Sequence, residues 1–176
     1  MRTWQWAPLL LVVVFVVIWA ACGPRHELAA APNSLTPARA AEIDKDVRAF
    51  AGVVAHDITA EGPTAWRRHL ADTPAFFLAS NGQLVFTNSA SFITGIQAFA
   101  QTIKHIELQW GNDLRVDPLT PELAVVGSSY REVQVNTEGK RVEEAGYFTG
   151  IAEYRNGQWQ FRNAHWSEAC PPPAAH

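Results

Sequence analysis

Two runs of alternating residues lie between Tyr147 and Ser167, on either side of Asn156-Gly157. Asn-Gly readily adopts the positive φ angles of the tightest two-residue turn, so this segment predicts a β-hairpin. Side chains two positions apart on a strand share a face. On the second strand the expected shared face carries Trp159, Phe161, Asn163, His165 and Ser167. Because this face passes from apolar to polar, we expect it to form the floor of a pocket.

Helix signals dominate the chain before this hairpin. Thr36-Pro37 combines a capping residue with proline at the first helical position, and apolar residues then recur at spacings of three and four from Ile43 to Ile58. Gly62-Pro63 ends that pattern, and residues 64–70 can form a short second helix. Asn81-Gly82 predicts another hairpin between short apolar strands. The first part of the chain is therefore predicted to hold two helices and a hairpin.

Strands dominate after one further helix. Asn88 or Ser89 can cap that helix, whose apolar residues continue at helical spacing to Ile103. Alternation around Ile106–Trp110 and the apolar segment Leu123–Val135 then predict strands. This order predicts an α+β fold in which helices pack on one face of a curved, mostly antiparallel sheet.

The N-terminal segment is typical of export. Arg2 precedes an apolar run from Ala7 to Ala21, as in a signal peptide. Three outcomes are compatible with it. Cys22 follows Trp19-Ala20-Ala21, which resembles the lipobox of bacterial lipoproteins and would make Cys22 the lipidation site. Cleavage within Leu28–Ala31 and a retained membrane anchor are the alternatives.

The predicted organisation has four parts. Residues 1–22 form the signal peptide, lipoprotein signal or anchor; residues 23–35 form a flexible tether; residues 36–168 form the α+β domain; and residues 169–176 form a tail. The expected location is the bacterial cell envelope, either periplasmic or attached to the membrane through this N-terminal segment or a lipid. The formal net charge of −3 offers no positive field for a phosphate backbone, so nucleic acid is not an expected partner.

The ionisable residues favour neither a metal site nor a serine nucleophile. No two of the histidines have a spacing that would place paired imidazoles on one face, so we expect no metal, and no cofactor motif is present. His165 lies beside Asn163 and Ser167 on the predicted strand, where a structural hydrogen bond, a ligand contact and catalysis all stay open. The later strands carry Glu132, Glu143, Glu144 and Glu153. We expect these glutamates to point outward into solvent. One of them could act as a general base only if it pointed inward and burial raised its pKa.

The aromatic residues outnumber what a small core needs. Because helices can close only part of a curved sheet, some rings are expected to line a cavity that binds a small apolar or amphipathic molecule. The expected ligand-binding residues are His165, Asn163, Tyr130, Phe77, Trp66 and Tyr147.

Three segments resemble a known superfamily. They are Leu70-Ala71-Asp72 with the following Phe76–Gly82, Leu123–Gly127, and the closing hairpin from Asn156 to Ser167. With them, the chain resembles the nuclear transport factor 2-like superfamily and its SnoaL-like branch, which includes ketosteroid isomerases and polyketide cyclases. The resemblance covers roughly Thr36 to Glu168. It implies a cone-like curved antiparallel (mixed) β-sheet with the N-terminal helices on its concave face, and a homodimer through the open face of the sheet.

One departure from that family bears on activity. Where the isomerases carry a catalytic aspartate, just before the first hairpin turn, this chain has Phe77-Leu78-Ala79-Ser80. The first hypothesis is therefore a binding domain that does not catalyse a reaction. The alternatives are an isomerase, cyclase or dehydratase that uses His165 as general base, and a homodimerisation module.

Overall fold

A computed structural model of the chain describes residues 35–169. The predictions for the export segment, for lipidation at Cys22 and for cleavage lie outside the described residues, as do nearly all of the tether and the tail. Among the helices of the described part, none is both long and apolar enough to span a bilayer.

Three helices and seven strands make up the described part. The helices are α1 (Pro37–Glu61), α2 (Trp66–His69) and α3 (Ser89–Thr102), with a 3-10 turn at Pro63–Ala65 between the first two. The strands are β1 (Phe77–Ser80), β2 (Gln83–Phe86), β3 (Ile103–Trp110), β4 (Arg115–Thr120), β5 (Leu123–Asn136), β6 (Arg141–Arg155) and β7 (Gln158–Glu168). The predicted α+β class is confirmed.

Helix α1 begins and ends where the sequence predicts. The Thr36 hydroxyl accepts a hydrogen bond from the Arg39 backbone N–H at 3.2 Å, and Pro37 is the first helical residue. Gly62 ends the helix with a φ of +88°, a backbone conformation that favours glycine. The face of the helix that packs on the sheet buries Ile43, Val47, Phe50, Ala51, Val54 and Ile58.

The sheet is mixed, curved and unclosed. Its strand order is β2-β1-β7-β6-β5-β3, and β4 pairs with β5 off this path. All pairings are antiparallel except that of β1 with β7. The sequence did not predict β4, which contains Pro118. Proline has no N–H to donate, so it is tolerated in a short strand at the edge of a sheet.

Both predicted Asn-Gly hairpins are confirmed. Asn81 and Gly82 have φ angles of 49° and 78°, and Asn156 and Gly157 have φ angles of 53° and 83°. Positive φ at both central residues is what the tightest hairpin turn requires. These turns join β1 to β2 and β6 to β7.

A β-bulge in β7 overturns the predicted shared face of that strand. Ala152 pairs with Phe161, but the next residue back, Ile151, pairs with Asn163, so Arg162 is an extra residue. One inserted residue in a strand of period two moves every later side chain to the opposite face. The concave face therefore carries Phe161 and then Ala164, Trp166 and Glu168, whereas Asn163, His165 and Ser167 lie on the outer face.

Trp166 lies at the centre of the aromatic packing under the helices. Its ring centroid is 4.6 Å from Tyr130, 4.8 Å from Phe148, and 5.8 Å from both Trp66 and Trp110. Rings at these separations contribute more than their buried area alone. Trp166 therefore connects α2 with strands β3, β5 and β6.

Candidate ligand-binding cavity

A cavity of about 350 Å³ lies between the concave face of the sheet, the β1–β2 hairpin and helices α2 and α3. Most of its wall is aromatic or aliphatic. The apolar lining residues are Trp66, Leu70, Leu78, Val85, Phe86, Phe92, Ile96, Phe99, Ala164 and Trp166. The polar lining residues are Ser80, Tyr130, Glu132, Glu144 and Glu168.

Close packing of the β1–β2 hairpin on α3 builds the apolar wall. The rings of Phe86 and Phe92 meet edge to face with centroids 5.2 Å apart. A Cβ atom at Gly95 would collide with the ring of Phe86. The glycine therefore leaves the space on α3 that the Phe86 ring occupies.

Asn88 determines where α3 begins. Its side-chain oxygen accepts a hydrogen bond from the Ser91 backbone N–H at 2.8 Å, and the Ser91 hydroxyl accepts one from the Asn88 N–H at 3.4 Å. This reciprocal pair is a capping box. Of the two caps that the sequence allowed, Asn88 is the one used, whereas the Ser89 hydroxyl donates to Asp72 at 2.7 Å. The cap holds the helix that carries Phe92, Ile96 and Phe99 into the cavity.

Three strands meet at the polar end of the cavity. Glu132 of β5 is directly opposite Glu144 of β6, Tyr130 is opposite Gly146, and Gly146 is in turn opposite Glu168 of β7. Side chains directly opposite on antiparallel strands have Cβ atoms ~5 Å apart. The register therefore brings three carboxyl groups together around the Tyr130 side chain.

Burial and mutual repulsion raise the pKa values of this group. Burial raises the pKa of Glu132, the nearby Glu144 carboxylate raises it further, and a hydrogen bond from Gln134 opposes the change. Burial and Glu168 likewise raise the pKa of Glu144. The pKa of Tyr130 rises to about 12, because of burial and then the three carboxylates. Two of these carboxyl groups therefore hold their protons more tightly than solvated glutamates do.

Tyr130 and Glu144 lack partners for their polar atoms. Tyr130 is only 6% exposed, and neither its hydroxyl nor the Glu144 carboxylate makes a hydrogen bond or ion pair within residues 35–169. Glu168 differs, because it accepts a hydrogen bond from the Asn81 amide at 2.7 Å. Among the described residues, Glu153 Oε2 is the only side-chain oxygen or nitrogen that is buried without a partner, so the Tyr130 hydroxyl and the Glu144 carboxylate face the open space of the cavity. A polar group that enters the cavity can therefore bond to both.

Two of the six predicted ligand-binding residues line the cavity, namely Trp66 and Tyr130. The other four lie on the outer face of the sheet: Phe77, Tyr147, Asn163 and His165. For Asn163 and His165 the cause is the bulge in β7. The Asn163 side-chain oxygen accepts a hydrogen bond from the Ile151 N–H at 3.2 Å, which is a structural role at the bulge itself.

Two carboxylates point into the cavity that were not predicted to do so. The expectation that all four strand glutamates point outward is wrong for Glu132 and Glu144, which line the cavity. Glu143 does point outward, where it pairs with Arg131 and Arg141 at 2.6 and 2.9 Å. The signal was present, because Glu132 continues the even-numbered alternation of β5 that includes the buried residues Ala124, Val126, Ser128 and Tyr130.

A second group of ionisable residues lies outside the cavity lining. Nε2 of the buried His69 is 3.0 Å from Asp57, which also accepts a hydrogen bond from Arg68 at 2.9 Å. Burial lowers the pKa of His69 although Asp57 opposes this change, while hydrogen bonds from His56 and Arg68 lower the pKa of Asp57 to about 2. These contacts join the end of α1 to α2. Within residues 35–169, no three His, Cys, Asp or Glu residues are grouped in a way that could hold a metal ion.

Solved structures of low sequence identity share this fold. A nuclear transport factor 2-like superfamily protein from Salmonella enterica is 12% identical, with a TM-score of 0.59 over 80% of this chain and 96% of that one. A protein from Novosphingobium aromaticivorans, proposed to be a scytalone dehydratase, is 10% identical, with a TM-score of 0.61 over 74% of this chain and 85% of that one. A type 2 hexachlorocyclohexane dehydrochlorinase is 10% identical, with a TM-score of 0.59 over 80% of this chain and all of that one.

The likeness establishes the fold. The described part of the chain has the cone-like α+β fold of nuclear transport factor 2-like proteins, as the resemblance in the sequence implied. No protein-family model matches the chain, and no curated protein matches it. Assignment to the SnoaL-like branch stays a prediction. Since this fold occurs in proteins of different activity, function has to be argued from the cavity.

Proposed function

We propose that this is an exported domain that binds a small, partly apolar ligand in its cavity and does not transform it. The observation that carries the proposal is the cavity itself, a space of about 350 Å³ whose wall is mostly aromatic and aliphatic. Small-molecule sites are concave and largely apolar, with a few polar groups that orient the ligand. Tyr130 and the nearby carboxylates provide those groups.

The position of the family's catalytic aspartate supports a binding role. The cavity-facing residues of β1 are Leu78 and Ser80, and neither can exchange a proton near neutral pH. His165, the general base of the enzyme hypothesis, is on the other face of the sheet. An imidazole there cannot reach a substrate within the cavity.

Export is proposed from the sequence alone. The apolar run after Arg2 supports a signal peptide, and Cys22 supports lipid attachment at the membrane of a bacterial cell envelope. Mass spectrometry of the mature N-terminus tests this part. Acylated Cys22 or an N-terminus within residues 28–31 agrees with export, whereas an unprocessed Met1 in the cytoplasmic fraction contradicts it.

The test of ligand binding compares two substitutions on one strand. Ser80→Phe fills the cavity, whereas Ala79→Phe adds the same ring to the outer face. We expect 4-phenyl-1-butanol to raise the melting temperature of the unmodified domain, because a ligand that binds only the folded state stabilises it. Ser80→Phe should abolish that increase and Ala79→Phe should keep it. Equal responses of the two variants would contradict binding in this cavity.

A proton-transfer enzyme is the second candidate. Glu132 favours it, because burial raises the pKa of this carboxyl group and so makes it a better proton acceptor than a solvated glutamate, and Tyr130 could donate a hydrogen bond. Two proteins of this fold, the dehydrochlorinase and the proposed scytalone dehydratase, are named for elimination reactions. Any turnover of an isomerase, cyclase or dehydratase kind should then be lost in Glu132→Gln and retained in His165→Gln. A homodimer through the outer face stays a prediction.

A further inference from the structure

We propose that the ligand of this cavity is an organic cation, a protonated amine carried on a small aromatic or aliphatic body. The inference rests on the proposed function, since it names the class of ligand for the same cavity. The ammonium group would lie at the polar end, between Glu132, Glu144 and Tyr130, and the apolar body would extend along α3.

The charges around the cavity favour a cation. Three carboxylates line it, and its lining includes no Lys, Arg or His in the part of the chain that the structure describes. Glu132 and Glu144 are directly opposite each other on neighbouring strands. Like charges in that position destabilise a sheet. A cation between them would replace this repulsion with two attractive contacts, whereas an anionic ligand would add to it.

The unpartnered polar groups are independent evidence for a ligand. Tyr130 is only 6% exposed, and its hydroxyl has no partner within residues 35–169 although it belongs to the cavity wall. Glu144 also has no partner there. An ammonium group has three N–H donors, and a phenol oxygen and carboxylate oxygens are acceptors. One amine can therefore satisfy Tyr130, Glu132 and Glu144 together.

The aromatic rings beside this group suit a cation and its apolar body. Trp166 lies 4.6 Å from Tyr130 between ring centroids, and Trp66 lies 5.8 Å from Trp166. Tryptophan and tyrosine faces attract a nearby cation through the ring quadrupole. The remaining wall, which includes Phe92, Ile96 and Phe99, is apolar. The volume of about 350 Å³ is near the lower end of ligand sites, so the body has to be small.

Three probes of one shape and different charge test the inference: 4-phenylbutylamine, 4-phenyl-1-butanol and 4-phenylbutyrate. Titration calorimetry at about pH 8 keeps the amine protonated and solvated carboxylates ionised. We expect the amine to bind at least about tenfold more tightly than the alcohol, as charge-assisted hydrogen bonds are about twice as strong as neutral ones. The carboxylate probe should bind more weakly than the alcohol.

Variants then locate the charge preference. In Glu132→Gln/Glu144→Gln the amine should lose most of its advantage over the alcohol, because the amides preserve the shape of the cavity but carry no charge. The matched control is Glu143→Gln, which removes a carboxylate from the outer face of β6, the strand that carries Glu144. The control should keep the full preference for the amine, since that carboxylate faces away from the cavity.

The outcomes separate the two proposals. If the alcohol or the carboxylate probe binds as tightly as the amine, the cation inference is wrong while the proposed binding function stands. An amine preference that survives in the double variant also overturns the inference. If none of the three probes binds, the proposed function fails and the inference fails with it.

Discussion

At the scale of single residues, we expect the carboxylates that line the cavity to lower the stability of the folded domain. A glutamate that is partly buried opposite another glutamate loses hydration and gains repulsion. For Glu132, the hydrogen bond from Gln134 offsets only part of this cost. The raised pKa of Glu132 means that the folded state binds this proton more tightly than the unfolded state. The favourable contribution is therefore complete below the unfolded pKa and is lost as the pH rises through the folded value.

Glu132→Gln should therefore make the domain more stable at neutral and alkaline pH. We expect a gain of roughly 1 kcal/mol at about pH 8, the scale of relieving one poorly compensated buried charge. The gain should shrink towards pH 4, because the wild-type carboxyl group is then protonated as well. Thermal unfolding across this pH range measures the difference.

Glu143→Gln is the control for this prediction, because we expect it to change the stability at neutral pH in the opposite direction. Arg131 and Arg141 lower the pKa of Glu143, so its stabilising contribution is present above the unfolded pKa and is lost as the pH falls. This variant should be slightly less stable than the wild type at neutral pH. A Glu132→Gln variant that loses stability at about pH 8 would show that the carboxylate is better compensated than its surroundings indicate.

On the strands, the face that a side chain occupies was predictable from the sequence only where alternation runs unbroken. Tyr130 of β5 was predicted as a cavity residue and lines the cavity, as does Trp66 of helix α2. Glu132 follows from the same alternation on β5, so it was missed by expecting strand glutamates to be solvated and not for lack of a signal. His165 was misplaced because the alternation on β7 is broken by a residue that has no distinctive type.

At the scale of secondary structure elements, turns and caps were more predictable than bulges. Asn-Gly pairs and the Thr36-Pro37 start act through local backbone preferences, which the sequence displays directly. The bulge at Arg162 depends instead on how β7 packs between β6 and β1, which no local signal reports. Gly150 is part of that fit, since a Cβ there would lie 2.8 Å from the Asn163 carbonyl oxygen. The need for glycine at this position comes from the close approach of the neighbouring strand, and not from the local sequence.

The Asn88 cap gives an element-scale prediction. Asn88→Ala should destabilise the domain by about 1 kcal/mol, because it leaves an N–H at the start of α3 without its acceptor. Urea unfolding followed by circular dichroism measures the loss. The control is Thr94→Ala in the exposed middle of the same helix, which should be neutral or slightly stabilising, as alanine has the higher helix propensity. Equal losses at the two positions would contradict the capping role.

At the scale of the whole molecule, element order gave the fold class but not the complete topology. Helices followed by strands predicted helices on one face of a curved sheet, and the resemblance added the cone. The parallel pairing of β1 with β7 was not foreseen, and β4 was missed because proline weakens the signal of a strand. Both features depend on contacts between distant parts of the chain, which residue periodicity does not encode.

Trp166 contacts several secondary structure elements, so its removal should lower the stability of the whole domain. Its ring contacts aromatic residues of α2, β3, β5 and β6, whereas Trp159 of the same strand packs against Tyr154 beside the β6–β7 turn, with centroids 5.4 Å apart. Trp166→Ala should lower the free energy of unfolding by roughly 3 kcal/mol or more, since the substitution removes apolar contacts and also leaves an empty space in the core. Trp159→Ala should cost less than half as much. Far-UV circular dichroism in urea measures both losses, and losses of equal size would show that the aromatic cluster does not hold the cone together.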